Sequence, residues 1–209
     1  ARVEACFDRE ALEDLYLPYK QRKSTRADKA REAGLEPLAE MVLGVRPTPG
    51  GDRVAVARPF VALAKGIATT DDALAGARDI VADRTATDPD VRADIRDLAL
   101  RAAGVVSKKK RGAGPDAEAF KDWFDYGEAV RTIPAHRFLA MRRGEAAGAL
   151  SVSVDVDAIR GLELAARRFA PRVPRIFRDD FDAALKDGWD RLLWPAIERE
   201  VLALVEERA

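Results

Sequence analysis

His136 is the only histidine of the chain and Cys6 its only cysteine, so the usual zinc ligands and nucleophile–base pairs are scarce. No HExxH or CxxC spacing occurs, and no zinc site is written in the sequence. A Ser–His–Asp arrangement would need a serine on a glycine-framed elbow, which no serine here has. His136 therefore reads as a packed or helix-capping residue. Asp155 and Asp157 flank Val156 and could hold Mg²⁺ in a nuclease-like site. No recognisable partner strand supplies further acids, and Asp157 is better suited to cap the helix that follows. Neither a metal nor a cofactor is expected, and the chain is read as non-catalytic.

Charge offers more. Lys20–Arg31 carries six Lys or Arg against one Asp, in a chain with 36 basic and 36 acidic residues. Such a block is either a footprint for a polyanion or the solvated face of a short helix. A second run, SKKKRGAGPD from Ser107, places its glycines after its lysines. That reverses the order of a phosphate-cradling loop, whose backbone amides must wrap the anion before the lysine reaches it. What remains is a basic tip that is either solvated or touches nucleic-acid phosphates. The candidate nucleic-acid-binding residues are Lys20, Arg22, Lys23, Arg26, Lys108, Lys109, Lys110 and Arg111. Separately, Phe120, Trp123, Phe124 and Tyr126 are concentrated in AFKDWFDYGEAV and could stack on bases, but the preferred reading is a packed core.

Helices must position these groups. Thr25 caps a helix from Arg26, and Gly34 stands where a left-handed terminal residue belongs. Leu35, Leu38, Met41 and Val42 form a short stripe ending at Gly44, and RPTPGG from Arg46 is a break. Val54–Leu63 is an ordered connection with a helical turn, interrupted at Pro59. Thr70 is the expected cap of a helix through Leu74, Ala77, Ile80 and Val81. Asp88-Pro89 opens a second helix, closed by Gly104, and the two form an αα-hairpin. Val105–Lys109 and Leu150–Val154 read as strands that pair in a small sheet. Ala117–Phe124, Pro134–Arg143 and Asp157–Phe169 read as helices. A proline-flanked joint at Pro171 and Pro174 leads to a long helix from about Arg175. Asp179 and Asp180 lie in its early turns, where negative charge is favoured. Its stripe is Phe177, Phe181, Leu185, Trp189, Leu192, Ile197, Val201 and Val205. Pro195 predicts a kink, and the whole element would be about 50 Å long.

The fold expected is therefore mainly α: a multi-helical scaffold with a two- or three-stranded antiparallel sheet and a long C-terminal helix. The divisions expected are 1–45, a connection at 46–70, 71–170, and 171–209. At 47% apolar and 34% charged residues, the composition is that of a globular chain. No apolar run reaches the roughly 20 residues a membrane span needs. With one cysteine, a reducing cytoplasm is the simplest location. Ala1 at the start and the uncapped helical character of Glu198–Ala209 suggest a piece of a longer chain.

Five stretches in order resemble the bacterial transcription accessory protein Tex family. They are LEDLYLPYKQRKSTRADKAREAGLEPLA (Leu12–Ala39), ALAGARDIVADR (Ala73–Arg84), FKDWFDYGEAVRTIPAHRFLAMRRGE (Phe120–Glu145), LSVSVDVD (Leu150–Asp157) and DGWDRLLWPAIEREV (Asp187–Val201). Full-length members carry RNase H-like, helix-hairpin-helix and OB-fold RNA-binding domains downstream of the matched region. The resemblance implies a role around transcription and nucleic-acid binding, RNA more than DNA, in the complete protein. It transfers neither the OB-fold's binding residues nor RNase H-like carboxylates to this segment. Lys20-Gln21 departs from the lysine-proline common in the family, and RPTPGGDRVAV is locally divergent. The expected function is a helical scaffold, with the transcription machinery among its candidate partners. The alternative is a protein-interaction module for transcription or ribosome-associated partners.

Overall fold

The computed structural model describes Leu12, Tyr16 and residues 24–209; Lys20, Arg22 and Lys23 lie outside them. In chain order the first elements are α1 (Arg26–Glu32), α2 (Glu36–Val42), α3 (Arg53–Ala57), α4 (Thr70–Thr87) and α5 (Pro89–Ala102). There follow β1 (Gly104–Lys109), β2 (Asp125–Ala129), α6 (Ala135–Ala146), β3 (Leu150–Asp155) and α7 (Ala158–Ala166). The last are α8 (Arg178–Gly188) and α9 (Trp194–Glu207). The architecture is mainly α with a three-stranded antiparallel sheet. Two compact units share it: residues up to Ala93 with Leu162–Trp194, and Asp94–Gly161 with Pro195–Ala209.

In the first unit, side-chain caps set the starts of α1, α4 and α5. Thr25 Oγ1 accepts the Asp28 N–H at 3.1 Å while the Asp28 carboxylate accepts the Thr25 N–H at 2.9 Å, a reciprocal capping box. Gly34 follows α1 with φ of 87°, as expected. For α4 the cap is Thr69 and not Thr70, because only Thr69 has an acid three residues later. Its hydroxyl accepts the Asp72 N–H at 3.1 Å, and Asp72 returns a bond from the Thr69 N–H at 2.9 Å. Asp88 caps α5 by accepting the Asp90 and Val91 N–H groups at 3.0 Å.

Helix α4 buries Ala73, Leu74, Ala77, Ile80, Val81, Ala82 and Ala86, and with them Asp83 and Thr85, while Asp71 and Asp72 of its first turn stay exposed. It packs on α1, α2 and α8. The approach of α8 is close enough that a Cβ on Gly188 would stand 2.9 Å from the Ala82 carbonyl oxygen. One polar cluster accompanies this packing. The Asp180 side chain, fully buried, accepts from Arg53 Nη1 at 3.1 Å on both oxygens and from Arg78 Nη1 at 3.0 Å. Asp180 is in the first turn of α8, as its charge suggests, but it is there as the shared anion of two arginines.

In the second unit β1 is the central strand, flanked by β2 and β3. The strand at Asp125–Ala129 is an addition to the sequence-based expectation. The expected α-helix over Ala117–Phe124 is instead a 3₁₀ stretch, Pro115–Trp123, with non-helical φ/ψ at Phe120. It packs against all three strands, so tertiary packing decides its form. Gly104 does not close α5 as expected; it opens β1, opposite Ala129 and Asp155. The outer edge of β3 is covered by carboxylates. Val152 N–H donates to Glu145 at 3.3 Å, and Val154 N–H donates to Glu198 at 2.8 Å. Both donors would otherwise be open to another strand.

Between α8 and α9 the backbone widens into a π turn, Trp189–Leu193, where the Trp194 N–H reaches the Trp189 carbonyl. Pro195 has no N–H and its ring would strike the carbonyl four residues back in a regular helix. The kink expected at Pro195 thus takes the form of a π turn just before it. The extra residue moves the buried stripe from Leu192 to Leu193. The Trp189 and Trp194 rings stack at 5.6 Å, 8° from parallel.

The first unit makes two predictions about stability. Gly188→Ala should gain helix propensity yet lose stability, by about 1–3 kcal/mol, because the new methyl meets backbone that cannot rotate away. A thermal melt showing an unchanged or higher Tm would refute the close approach. At the buried anion the effect should be asymmetric. Arg53→Ala with Arg78→Ala strands the carboxylate and should cost about 3–5 kcal/mol. Asp180→Ala leaves two arginines 43% and 36% exposed, free to rehydrate, and should cost about 1–2 kcal/mol. Urea unfolding of the variants compares them.

Candidate nucleic-acid interface

The basic turn predicted from the sequence projects from the end of β1. Lys108, Lys109, Lys110 and Arg111 are all exposed, and none forms an ion pair with a described residue. The backbone beneath them is anchored. Lys109 N–H donates to Phe124 O at 3.0 Å, Lys110 N–H to Ala149 O at 2.9 Å, and Ala113 N–H to Lys110 O at 3.1 Å. The buried Ser107 hydroxyl donates to Trp123 O at 2.7 Å. Gly112, with φ of 79°, supplies the left-handed residue the turn needs.

Tertiary structure joins this turn to the aromatic segment. Lys109 Nζ lies 4.6 Å from the Phe124 ring centroid, a cation–π arrangement. Trp123 meets Tyr126 edge-on, with centroids 4.8 Å apart and planes at 72°. Trp123, Phe124 and Phe120 are partly buried against Ala117, Ala149 and Leu150, in keeping with the core reading. Their juxtaposition with the lysines is not visible in the sequence, where the two groups stand apart. The intervening 3₁₀ stretch bears Asp116, Glu118 and Asp122 against Lys121 alone, so the dense positive charge is confined to the turn itself.

On β2, residues Tyr126 and Glu128 share a face, and Arg137 of α6 closes a triad. The Tyr126 hydroxyl donates to Glu128 Oε2 at 2.6 Å, while Arg137 Nη1 donates to Tyr126 Oη and Glu128 Oε2, each at 3.1 Å. The hydrogen bond to Glu128 raises the Tyr126 pKa, since ionising the phenol would lose it and place two anions together. The bond from Tyr126 holds the Glu128 carboxyl below its ordinary range, with Arg137 acting in the same direction.

The other candidates distribute differently. Arg26 is exposed at the start of α1, in the first unit, whereas Lys108–Arg111 belong to the second. Within the same basic block Arg31 is committed to ion pairs with Asp28 at 3.0 Å, Glu36 at 3.3 Å and Asp83 at 2.8 Å. Part of that charge is therefore structural. Asp157 accepts the Arg160 N–H at 3.0 Å, the capping role expected of it, and Asp155 ends β3. Among the described residues no three His, Cys, Asp or Glu side chains converge as a metal site. His136 is exposed in the first turn of α6.

Tyr126 should ionise above the usual tyrosine value of about 10, and Glu128→Gln should bring its titration down. Linkage has the same sign: the stability this bond contributes is present below the unfolded tyrosine's pKa and is lost as pH rises through the raised one. Phenolate absorbance, with Tyr126→Phe as the difference standard, measures it. An unshifted Tyr126 titration would show that the triad does not form.

Residues 48–209 match a family model described as Tex central region-like. The chain is 43% identical over 150 residues to Protein tex of Bordetella pertussis, covering 72% of this chain and 19% of that protein. It is 38% identical over 154 residues to the Transcriptional accessory protein Tex of Neisseria gonorrhoeae, covering 74% and 20%. It is 31% identical over 214 residues to the human S1 RNA-binding domain-containing protein 1, covering 95% and 21%. The chain thus spans about a fifth of the length of these relatives. No helix among the described residues is long and apolar enough to cross a membrane. The order of capped helices, small sheet and long terminal helix is accompanied by similarity over most of the chain, and the chain belongs to the Tex family through that family's central region.

Proposed function

We propose that this chain is a non-catalytic helical scaffold of a Tex-type transcription accessory protein and binds RNA through phosphate contacts, in the cytoplasm. The observation that carries the reading is the exposed Lys108–Arg111 turn, held by backbone hydrogen bonds beside the Phe124 and Trp123 rings. A fixed basic turn attracts phosphates without the ordering cost of a floppy one. The adjacent rings are half-buried, and aromatic contact beside a basic turn suits unpaired bases better than a stacked duplex, which favours single-stranded RNA. The names of two relatives, one a transcriptional accessory protein and one an S1 RNA-binding domain protein, point the same way.

Fluorescence anisotropy of a labelled single-stranded RNA against the 209-residue chain, over a salt series, tests this. Affinity should fall with salt, and K108Q/K109Q/K110Q/R111Q should flatten the log–log slope by about 0.7 for each phosphate no longer neutralised. Absence of salt-dependent binding would refute RNA binding by this segment. The same RNA should remain intact with Mg²⁺ present; cleavage abolished by Asp155→Ala with Asp157→Ala would overturn the non-catalytic assignment.

A further inference from the structure

A second basic element lies in the first unit, between α7 and α8. Residues 167–178, RRFAPRVPRIFR, contain five arginines and no acid. The segment is not helical throughout. Two 3₁₀ turns, Ala170–Arg172 and Arg175–Phe177, are separated by an extended stretch with Val173 at φ −64°, ψ 120° and Pro174 at φ −61°, ψ 144°. Val173 and Phe177 are buried, while Arg172 and Arg175 are exposed. Apolar anchors thus point inward and guanidiniums outward from one short span. Pro171 and Pro174 restrict φ, so the backbone is ordered before any ligand arrives.

The seat of this segment is tight. Gly44, at φ +66°, lets the chain pass so close that a Cβ there would stand 1.9 Å from the Arg172 carbonyl oxygen. Two of the five arginines serve the fold. Arg168 pairs with Asp88 at 3.1 Å and Asp90 at 2.5 Å, and Arg178 Nη2 donates to the Ala170 carbonyl at 3.1 Å. Arg167, Arg172 and Arg175 are exposed and form no ion pair with a described residue. In the same unit Arg31, Arg53, Arg78, Arg84 and Arg191 are each neutralised by carboxylates. Arg26 and Arg58 are also exposed without an ion pair to a described residue, but singly, whereas Arg167, Arg172 and Arg175 share one short span.

We infer that Arg167, Arg172 and Arg175 form a second phosphate-binding surface for a nucleic-acid backbone, separate from the Lys108–Arg111 turn. This deepens the nucleic-acid reading and rests on it. Guanidinium forks match phosphate oxygens in pairs and stay charged at every physiological pH. Of the segment's two rings Phe177 is fully buried and Phe169 half-buried, while the three guanidiniums are exposed, so the surface acts chiefly on the backbone, whose contacts carry no sequence information.

The test compares two variant sets in the 209-residue chain, R167Q/R172Q/R175Q and K108Q/K109Q/K110Q/R111Q. Each is titrated with single-stranded RNA and with duplex DNA of equal length over a salt series. The arginine set should lower the log–log salt slope by about 2 on the single strand, near 0.7 for each of three phosphates, with Tm unchanged. R167K/R172K/R175K should restore the slope. If R167Q/R172Q/R175Q binds with unaltered affinity and slope while K108Q/K109Q/K110Q/R111Q is weakened, this inference is overturned and the RNA reading stands. If only the arginine set is weakened, the surface is supported and the lysine turn loses its role. An Arg→Lys set as weak as the Gln set would also overturn it, as would no binding of either nucleic acid by the unaltered chain.

Discussion

Everything in the first unit depends on how closely α8 can lie against α4. Glycine at 188 admits the Ala82 backbone, and α4 offers small residues, Ala73, Ala77, Ala82 and Ala86, on its buried sides. Small side chains let helix axes approach, and dispersion then acts over many atom pairs. The same approach removes Asp180 from water, which obliges Arg53 and Arg78 to meet it. A buried carboxylate without those partners would be costly, so packing and electrostatics require each other here. The helices involved are distant in sequence, and the unit is built from two separate stretches of chain as a result.

The second unit solves a different problem. Its sheet has three short strands, and the central one, β1, is satisfied on both sides. Outer edges need other devices. On β3, Glu145 and Glu198 accept the free N–H groups, so α6 and α9 are tied to the sheet by hydrogen bonds. At the end of β1 the turn is held by N–H groups of Lys109 and Lys110 and by the buried Ser107 hydroxyl. The lysine ammonium groups take no part in those bonds. That separation, backbone for order and side chains for charge, is what makes the turn available to a ligand.

Much of this is readable in one dimension, for local reasons. Thr25 and Asp28 form a cap from residues three apart, and Gly34 and Gly44 end helices because only glycine takes positive φ cheaply. Asp88-Pro89 and the alternation Leu150–Val154 need no distant partner to be recognised. The departures also have local causes. Thr69 and Thr70 are adjacent, and only the position of Asp72 selects between them. In FDYGEA the strand is short and polar, with an aromatic cluster before it, so its pairing with β1 is masked by an apparent helix or core signal. The arginine-rich span at 167–178 stands out in the sequence only as a proline-flanked joint.

Helical class, the caps, the scarcity of histidine and cysteine ligands and the family resemblance are all properties of residue type or short spacing, so the chain announces them before it folds. Which charges are spent and which are free is a three-dimensional matter. Arg31, Arg53 and Arg78 look no different from Arg172 and Arg175 along the chain, yet the first three sit within hydrogen-bonding distance of carboxylates and the last two do not. Folding likewise brings Lys109 over Phe124. Ion pairing and ring stacking depend on separations of a few ångströms between groups far apart along the chain, and only the packed structure sets those.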